Sequence, residues 1–530
     1  MLPSPKNPVA YFSAEFGIDT NLPTYAGGLG ILAGDTLLEA AAADFPMLGI
    51  GLLYQGKHFL QEFTPDGWQI EDPSPFEPEN TQLVRPVEKA GKKLKLSMNF
   101  FGEEITIAAY QQRLGKNTQL YLLTSDFDQN PEPWRNIMSA EYCCGDEAQL
   151  MQQFVLGLGG MRLLENLKIM PSHLHFQEGR PIFAHWELLR TQKNTPIIYT
   201  NHTLVPDGNL TYDQDLVKKY ADDYATQYKL SSEDLIQPGL TKDNRFSITK
   251  YGLEVANKRS AVSKRHHDLC QEVWPDYNWT YITNGIHVPR WQSSRLSNPH
   301  LSDYELWEIH ESKKRDLARV VKKRSNFDYD PNRLILGWAR RITGYKQIER
   351  IIDNSERLVQ ILTNPERPIQ ILLAGKAHPG DEAGKKCIQD VMKVLTKKLS
   401  GCALFIPNYD ITLATHLVSG VDVWLNTPEY GKEACGTSGM KALSNGVINC
   451  TVADGWAAEP DWEGAGWVLD HTNITESFQN TLEQKIAPLF YNRNEGLPSQ
   501  WITMMKNSIK LSKIYSTERM LKEYQSKLYT

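Results

Sequence analysis

Two patterns of apolar and polar positions alternate along this chain: short unbroken apolar runs, and longer stretches with helical spacing. From residue 333 onward the alternation is regular. RLILGWA (333–339), PIQILLAG (368–375), ALFIPNY (403–409), VDVWLNT (421–427) and VINCTV (447–452) predict buried strands. YKQIERIIDNSERLVQIL (345–362) and DEAGKKCIQDVMKVLTKKL (381–399) predict amphipathic helices. Strands that are apolar on both faces and joined through helices predict a parallel sheet covered on both sides.

The first half is more mixed. VAYFSAEF (9–16), MLGIGLLY (47–54), SHLHFQ (172–177) and PIIYTNHT (196–203) predict strands, with a helix over 146–167 between them. LSMNFFGEEITIAAYQQRL (96–114) predicts an antiparallel excursion near a sheet edge. A boundary is expected after TNGIHVPRWQSS (283–294), followed by a charged bridging helix over 302–324. The expected class is α/β, with two doubly wound Rossmann-like domains, 1–300 and 301–530, facing a ligand cleft at the strand carboxyl ends. The tail over 515–530 reads as an amphipathic helix that crosses back onto the first domain.

Composition narrows the class. The 530 residues carry a net charge of -6, which argues against a general nucleic-acid or anionic-membrane partner. No apolar run approaches the ~20 residues of a membrane helix, and the start has no signal-peptide pattern. Seven cysteines lack a CxxC pair, and Cys143 and Cys144 are adjacent, so a reduced, cytoplasmic setting is expected. No metal site is expected.

Three segments offer chemistry. In YAGGLGILAGD (25–35), Gly27, Gly28 and Gly30 precede a helix and let backbone N–H groups approach an anion, or simply make a tight turn. In GWARRITGYK (337–346), Arg340, Arg341 and Lys346 follow a strand with Tyr345 beside them. Such cations suit one or two phosphates, or the salt bridges of a solvated loop. In EACGTSGMKALSNG (433–446), a helix starting near Thr437 aims the N–H groups of Thr437, Ser438 and Gly439 at an anion, with Lys441 about one turn in. A partly desolvated lysine beside other cations has a lowered pKa and can form a Schiff base. Glu433 could accept hydrogen bonds from sugar hydroxyls.

Together with TNHT (200–203), TNGIHVPRW (283–291), AGKAHPG (374–380) and NYDITLA (408–414), these segments resemble the α-glucan (glycogen, starch or maltodextrin) phosphorylase family, in its order, from about Val9 to Trp456. SAEFGIDTNLPTYAGGLGILAGD and GTSGMKA look closest to the shorter bacterial and archaeal branch, which lacks much of the regulatory apparatus of the long animal enzymes. The resemblance implies a GT-B glycosyltransferase fold. It implies reversible phosphorolysis of a terminal α-1,4-linked glucose to α-glucose 1-phosphate, with retention of anomeric configuration. It also implies pyridoxal 5′-phosphate, whose phosphate relays a proton. By position, Lys441 would form the Schiff base; Arg340, Thr437 and Ser438 would hold the cofactor phosphate; and Tyr409 would pack by the ring. Arg341, Lys346 and the N–H of Gly28 would bind substrate phosphate. Glu433, Asn284, Tyr345 and the backbone of Cys435 and Gly436 would hold glucose, with His202 lining the site. The family is often dimeric.

One position departs. In FQEGRPIF the family usually has histidine where this chain has Arg180, which could fill the glucose subsite or bind an anion there. Two alternatives stay open. One is a nucleotide-sugar glycosyltransferase of the same fold, which has no need of the lysine in GMKA. The other is a catalytically weakened glucan-binding homologue, with Arg180 as its support.

Overall fold

A computed structural model describes residues 1–56, 59–72, 76–139 and 145–530. Cys143 and Cys144 lie outside the described residues. The chain forms two compact units. One comprises residues 1–58, 73–283 and 520–530; the other comprises 59–72 and 284–519.

The first unit is built on one sheet. From one edge its strands run Thr280–Tyr281, Lys258–Ala261, Ile197–Thr200, His173–Gln177, Val9–Phe12, Met47–Leu52 and Thr118–Thr124, all parallel. The antiparallel strand Glu103–Arg113 follows, paired with Lys95–Phe100 and Arg85–Pro86, as the excursion over 96–114 predicts. Phe101 and Gly102, both at positive φ (56° and 81°), make the two-residue turn between them. A turn of this kind matches the twist of the strands it joins. Numbered by chain order, the parallel strands lie 7-6-5-4-1-2-3.

The second unit has a six-stranded, wholly parallel sheet: Ala403–Ile406, Ile369–Ala374, Leu334–Ala339, Val423–Asn426, Ile448–Val452 and Gly466–Leu469. Its order is 3-2-1-4-5-6. In both sheets the order reverses between the first and fourth strands. This is the switch point at whose carboxyl end open α/β sheets bind ligands. The two central strands Leu334–Ala339 and Val423–Asn426 are buried throughout, which is why they read as unbroken apolar runs.

The charged helix Asp303–Ser325 lies within the second unit and starts at a capping box between Ser302 and Glu305. The helix predicted over 146–167 is continuous, with a π-helical stretch at Val155–Gly159. The single helix predicted over 345–362 is instead broken into Glu349–Ile352 and Ser355–Leu362. Gln347 and Asn354 are left-handed (φ 51° and 48°), and the Gln479 side chain donates to the Asp353 carbonyl at 2.8 Å. A side chain 126 residues away thus takes a carbonyl that a continuous helix would use. The strand predicted over 403–409 stops at Ile406. Asn408 turns left-handed, and its Oδ1 accepts the Gln61 N–H at 2.6 Å.

Two short segments belong to units far from them in sequence. The hairpin Leu60–Phe63/Gln69–Asp72 is part of the second unit, where Gln61 Nε2 donates to the Gly375 carbonyl at 2.8 Å and Phe63 meets Phe405 edge-on. The tail 520–530 is part of the first unit. Tyr524, Leu528 and Tyr529 are buried there, and the Tyr529 hydroxyl and His175 Nδ1 are hydrogen-bonded at 2.8 Å. No helix among the described residues is long and apolar enough to cross a membrane.

Candidate functional site

In the second unit, the switch point gathers most of the sequence-predicted residues. Arg340 leaves the first strand directly after Ala339, and Asn426 ends the fourth. Arg340 Nη1 donates to Glu433 Oε2 at 3.0 Å, and its Nη2 donates to Asn426 Oδ1 and, at 3.2 Å, to Ser438 Oγ. Its Nε is buried with no hydrogen-bond partner among the described residues. Lys346 Nζ donates to the same Glu433 Oε2. Its position over the Tyr345 ring, 4.3 Å from the centroid, adds a cation–π contact.

Burial governs the charges here. Desolvation lowers the Lys346 ammonium to about 8, with Glu433 opposing and Arg340 and Arg341 adding to the fall. For Glu433, burial pushes the carboxyl up, but Lys346 and Arg340 outweigh it and hold the group below the ordinary range. Burial raises the Tyr409 hydroxyl to about 12 against the pull of Arg340.

The loop carrying Glu433 is fixed by Asp454, which sequence reading missed. Its Oδ2 accepts the N–H groups of Gly431 (2.8 Å) and Glu433 (3.0 Å), and its Oδ1 accepts that of Gly455. Gly436 lies close against this carboxylate, since a Cβ there would lie 2.7 Å from Glu433 Oε1 and would push it aside. The Asn284 backbone lies beside the Cys435 thiol and opposes the rise that burial imposes on it. The Asn284 Oδ1 is buried with no partner among the described residues.

The helix Ser438–Ser444 begins at Thr437, as predicted, and Ser438 Oγ also accepts the Trp424 indole N–H at 3.2 Å. Lys441 is 7% exposed. Its Nζ lies 3.9 Å from the centre of the Trp291 ring. Trp291 closes the TNGIHVPRW segment but was given no role from sequence, whereas Asn426 and Asp454 stand at or just after predicted strand ends and could have been found there.

In the first unit, the glycine turn folds around Glu15, whose Oε2 accepts the N–H groups of Ala26 (2.7 Å) and Gly27 (2.9 Å). Gly28 opens the helix Gly28–Ala42, and a Cβ there would meet nothing within 4 Å. His202 Nε2 is 2.7 Å from Gln177 Oε1, and burial lowers the imidazole to about 3, so it is neutral at pH 7. Arg180 is buried in the turn after His173–Gln177, the fourth strand of that sheet.

Residues 295–461 match the family described as carbohydrate phosphorylase. The chain is 33% identical over 599 aligned residues to the glycogen phosphorylase of Aquifex aeolicus, covering 99% of this chain and 86% of that protein. The chain belongs to the carbohydrate phosphorylase family. It is also 33% identical to the maltodextrin phosphorylase of Thermococcus litoralis, over all of this chain and 71% of that one. It is 29% identical to the glycogen phosphorylase of Mycobacterium tuberculosis, over 98% and 70%. In this phosphorylase the donor set at the second sheet fits a phosphate monoester joined to an aldehyde. Arg340 brings a buried, unpartnered Nε, Thr437 and Ser438 stand at the helix start, and Lys441 supplies an amine.

Proposed function

We propose that this phosphorylase removes the terminal glucose of an α-1,4-glucan with inorganic phosphate, releasing α-glucose 1-phosphate with retained configuration. The observation that carries the reading is the Arg340–Lys346–Glu433 cluster at the switch point of the second sheet, which puts two cations and a carboxylate on one spot. Two units with the same doubly wound strand order support the GT-B organisation that the family resemblance implies.

In this reading Lys441 anchors pyridoxal phosphate, Arg340, Thr437 and Ser438 hold its phosphate, and Tyr409 packs against the ring. When bound, that phosphate monoester supplies an acid–base group with a pKa near ~6. Lys346 and Arg341 hold the substrate phosphate, with the N–H of Gly28. Glu433, Asn284, Tyr345 and the backbone of Cys435 and Gly436 hold the glucose hydroxyls. The bond from the anomeric carbon to the glycosidic oxygen breaks and a phosphate oxygen takes its place. The cations stabilise the attacking anion, and the anion in turn stabilises the oxocarbenium-like sugar. The departing oxygen leaves as a hydroxyl by taking the proton of the incoming hydrogen phosphate, so the product leaves as the glucose 1-phosphate dianion. On the first unit, Arg180 and His202 are assigned to substrate.

Incubation of the cofactor-loaded protein with maltodextrin and phosphate should release glucose 1-phosphate, detected by phosphorus NMR. Its absence from folded, loaded protein would overturn the reading. Because Lys346 binds phosphate only as the ammonium, phosphate affinity should fall as pH rises through about 8, by up to about tenfold per pH unit beyond it. A phosphate Kd that stays flat from pH 7 to 9.5 would remove Lys346 from the phosphate site. Arg180→His should lower the KM for maltodextrin by about tenfold if the guanidinium crowds the sugar. An unchanged KM would take Arg180 out of the subsite.

A further inference from the structure

We propose that the Glu433 carboxylate is a displaceable counter-ion that occupies the phosphate-binding cations and thereby couples the binding of phosphate to the binding of sugar. The inference rests on the phosphorolysis reading and adds to it the order imposed on its ligands.

A single carboxylate oxygen, Glu433 Oε2, accepts from both Arg340 Nη1 and Lys346 Nζ. It is the one carboxylate that the described residues bring into an ion pair with either cation. The other partners of Arg340 are neutral oxygens, Asn426 Oδ1 and Ser438 Oγ. The nearby Asp454 is spent on three backbone N–H groups, so it can neither replace Glu433 nor follow it. The same three bonds hold the backbone at 431, 433 and 455. Gly436 leaves space at Oε1 where any side chain would intrude. The carboxylate can therefore turn while its backbone stays fixed.

A phosphate dianion arriving at Lys346 competes for the same donor and repels Glu433 at short range, where the site is too buried for water to screen the charges. Glu433 is then left buried without its cations, and such a carboxylate needs other donors. Sugar hydroxyls are donors of that kind. Conversely, a sugar that draws Glu433 away bares Lys346 for the anion. By linkage each ligand must tighten the other by the same factor.

The test is calorimetry on the cofactor-loaded protein with inorganic sulfate, a dianion of phosphate's shape that cannot complete the reaction, with and without saturating maltohexaose. In the wild type the sugar should lower the sulfate Kd by about five- to a hundredfold. Glu433→Gln should bind sulfate about tenfold more tightly than wild type without sugar, because the competing charge is gone, and should show no further gain when sugar is added. Coupling below twofold in the wild type would overturn the proposal even if the variant failed to fold. A variant that binds sulfate equally or more weakly would overturn it as well. Sulfate binding without coupling would leave the phosphorolysis reading standing. If neither sulfate nor phosphate bound, both would fall.

Discussion

Replacing Lys441 with arginine should abolish covalent capture of pyridoxal phosphate and lower phosphorolysis by at least about a thousandfold. Lys441 is buried within the short helix Ser438–Ser444, with its ammonium on the face of Trp291. Arginine keeps a cation that can stack on that indole, but its guanidinium stays protonated and cannot attack an aldehyde. The substitution therefore separates charge from nucleophilicity. Borohydride reduction followed by peptide mass analysis should place a pyridoxyl group on Lys441 in the wild type and none at position 441 in the variant. Thermal unfolding of the cofactor-free proteins should agree within about 1 kcal/mol, since the cation–π contact survives. Activity within tenfold of wild type would show that Lys441 is not the anchor.

Asp422→Asn should destabilise the second unit by about 3–5 kcal/mol, a fall in Tm on the order of 10 °C. Asp422 lies at the amino end of the fourth strand, opposite the Arg340 end of the sheet, and is wholly buried. Its Oδ2 accepts from Lys314 Nζ and the Ile335 N–H, both at 2.7 Å, and its Oδ1 meets His310 Nε2 at 2.7 Å. Burial alone would raise this carboxyl, but Lys314 and His310 reverse the shift and hold it below the ordinary value. A folded pKa below the unfolded one stabilises the protein above about pH 4. That contribution is lost as pH falls through the folded value. The variant should lack that acid-dependent loss and be weaker at pH 7, because Lys314 is left buried without its counter-charge. Adding Lys314→Met should recover much of the stability, since no uncompensated charge then remains. Urea unfolding of the three proteins decides the matter. A loss below about 1 kcal/mol in the single variant would mean that the triad is not a stabilising element.

The Lys441 and Asp422 cases show how unevenly the molecule was legible. Lys441 could be singled out because its neighbours in sequence carry the signal: glycines, Thr437 and a helix start. Asp422 could not, because its partners lie 87 to 112 residues away and nothing local distinguishes it from a surface aspartate. The same holds for Glu433. The sequence offered it as a group for sugar hydroxyls, while its pairing with Arg340 and Lys346 depends on two strands being neighbours in the sheet. Glu15 is similar, a carboxylate whose acceptance of the Ala26 and Gly27 N–H groups exists only once the turn has closed over it.

By itself, the sequence determined the mixed α/β class, the central strands of both sheets, the antiparallel excursion at 96–114, and the cations and helix start beyond the strands of the second half. These follow from periodicity and from residues a few positions apart, which act before any long loop is closed. Tertiary structure alone decided the break at Asp353–Asn354, the transfer of the 60–72 hairpin to the second unit, and the counter-charges on Arg340, Lys346 and Lys314. Each of these is a contact between segments far apart in sequence. Such contacts form only when burial of a whole face offsets the entropy of closing the chain between them, and a local pattern carries no trace of that balance.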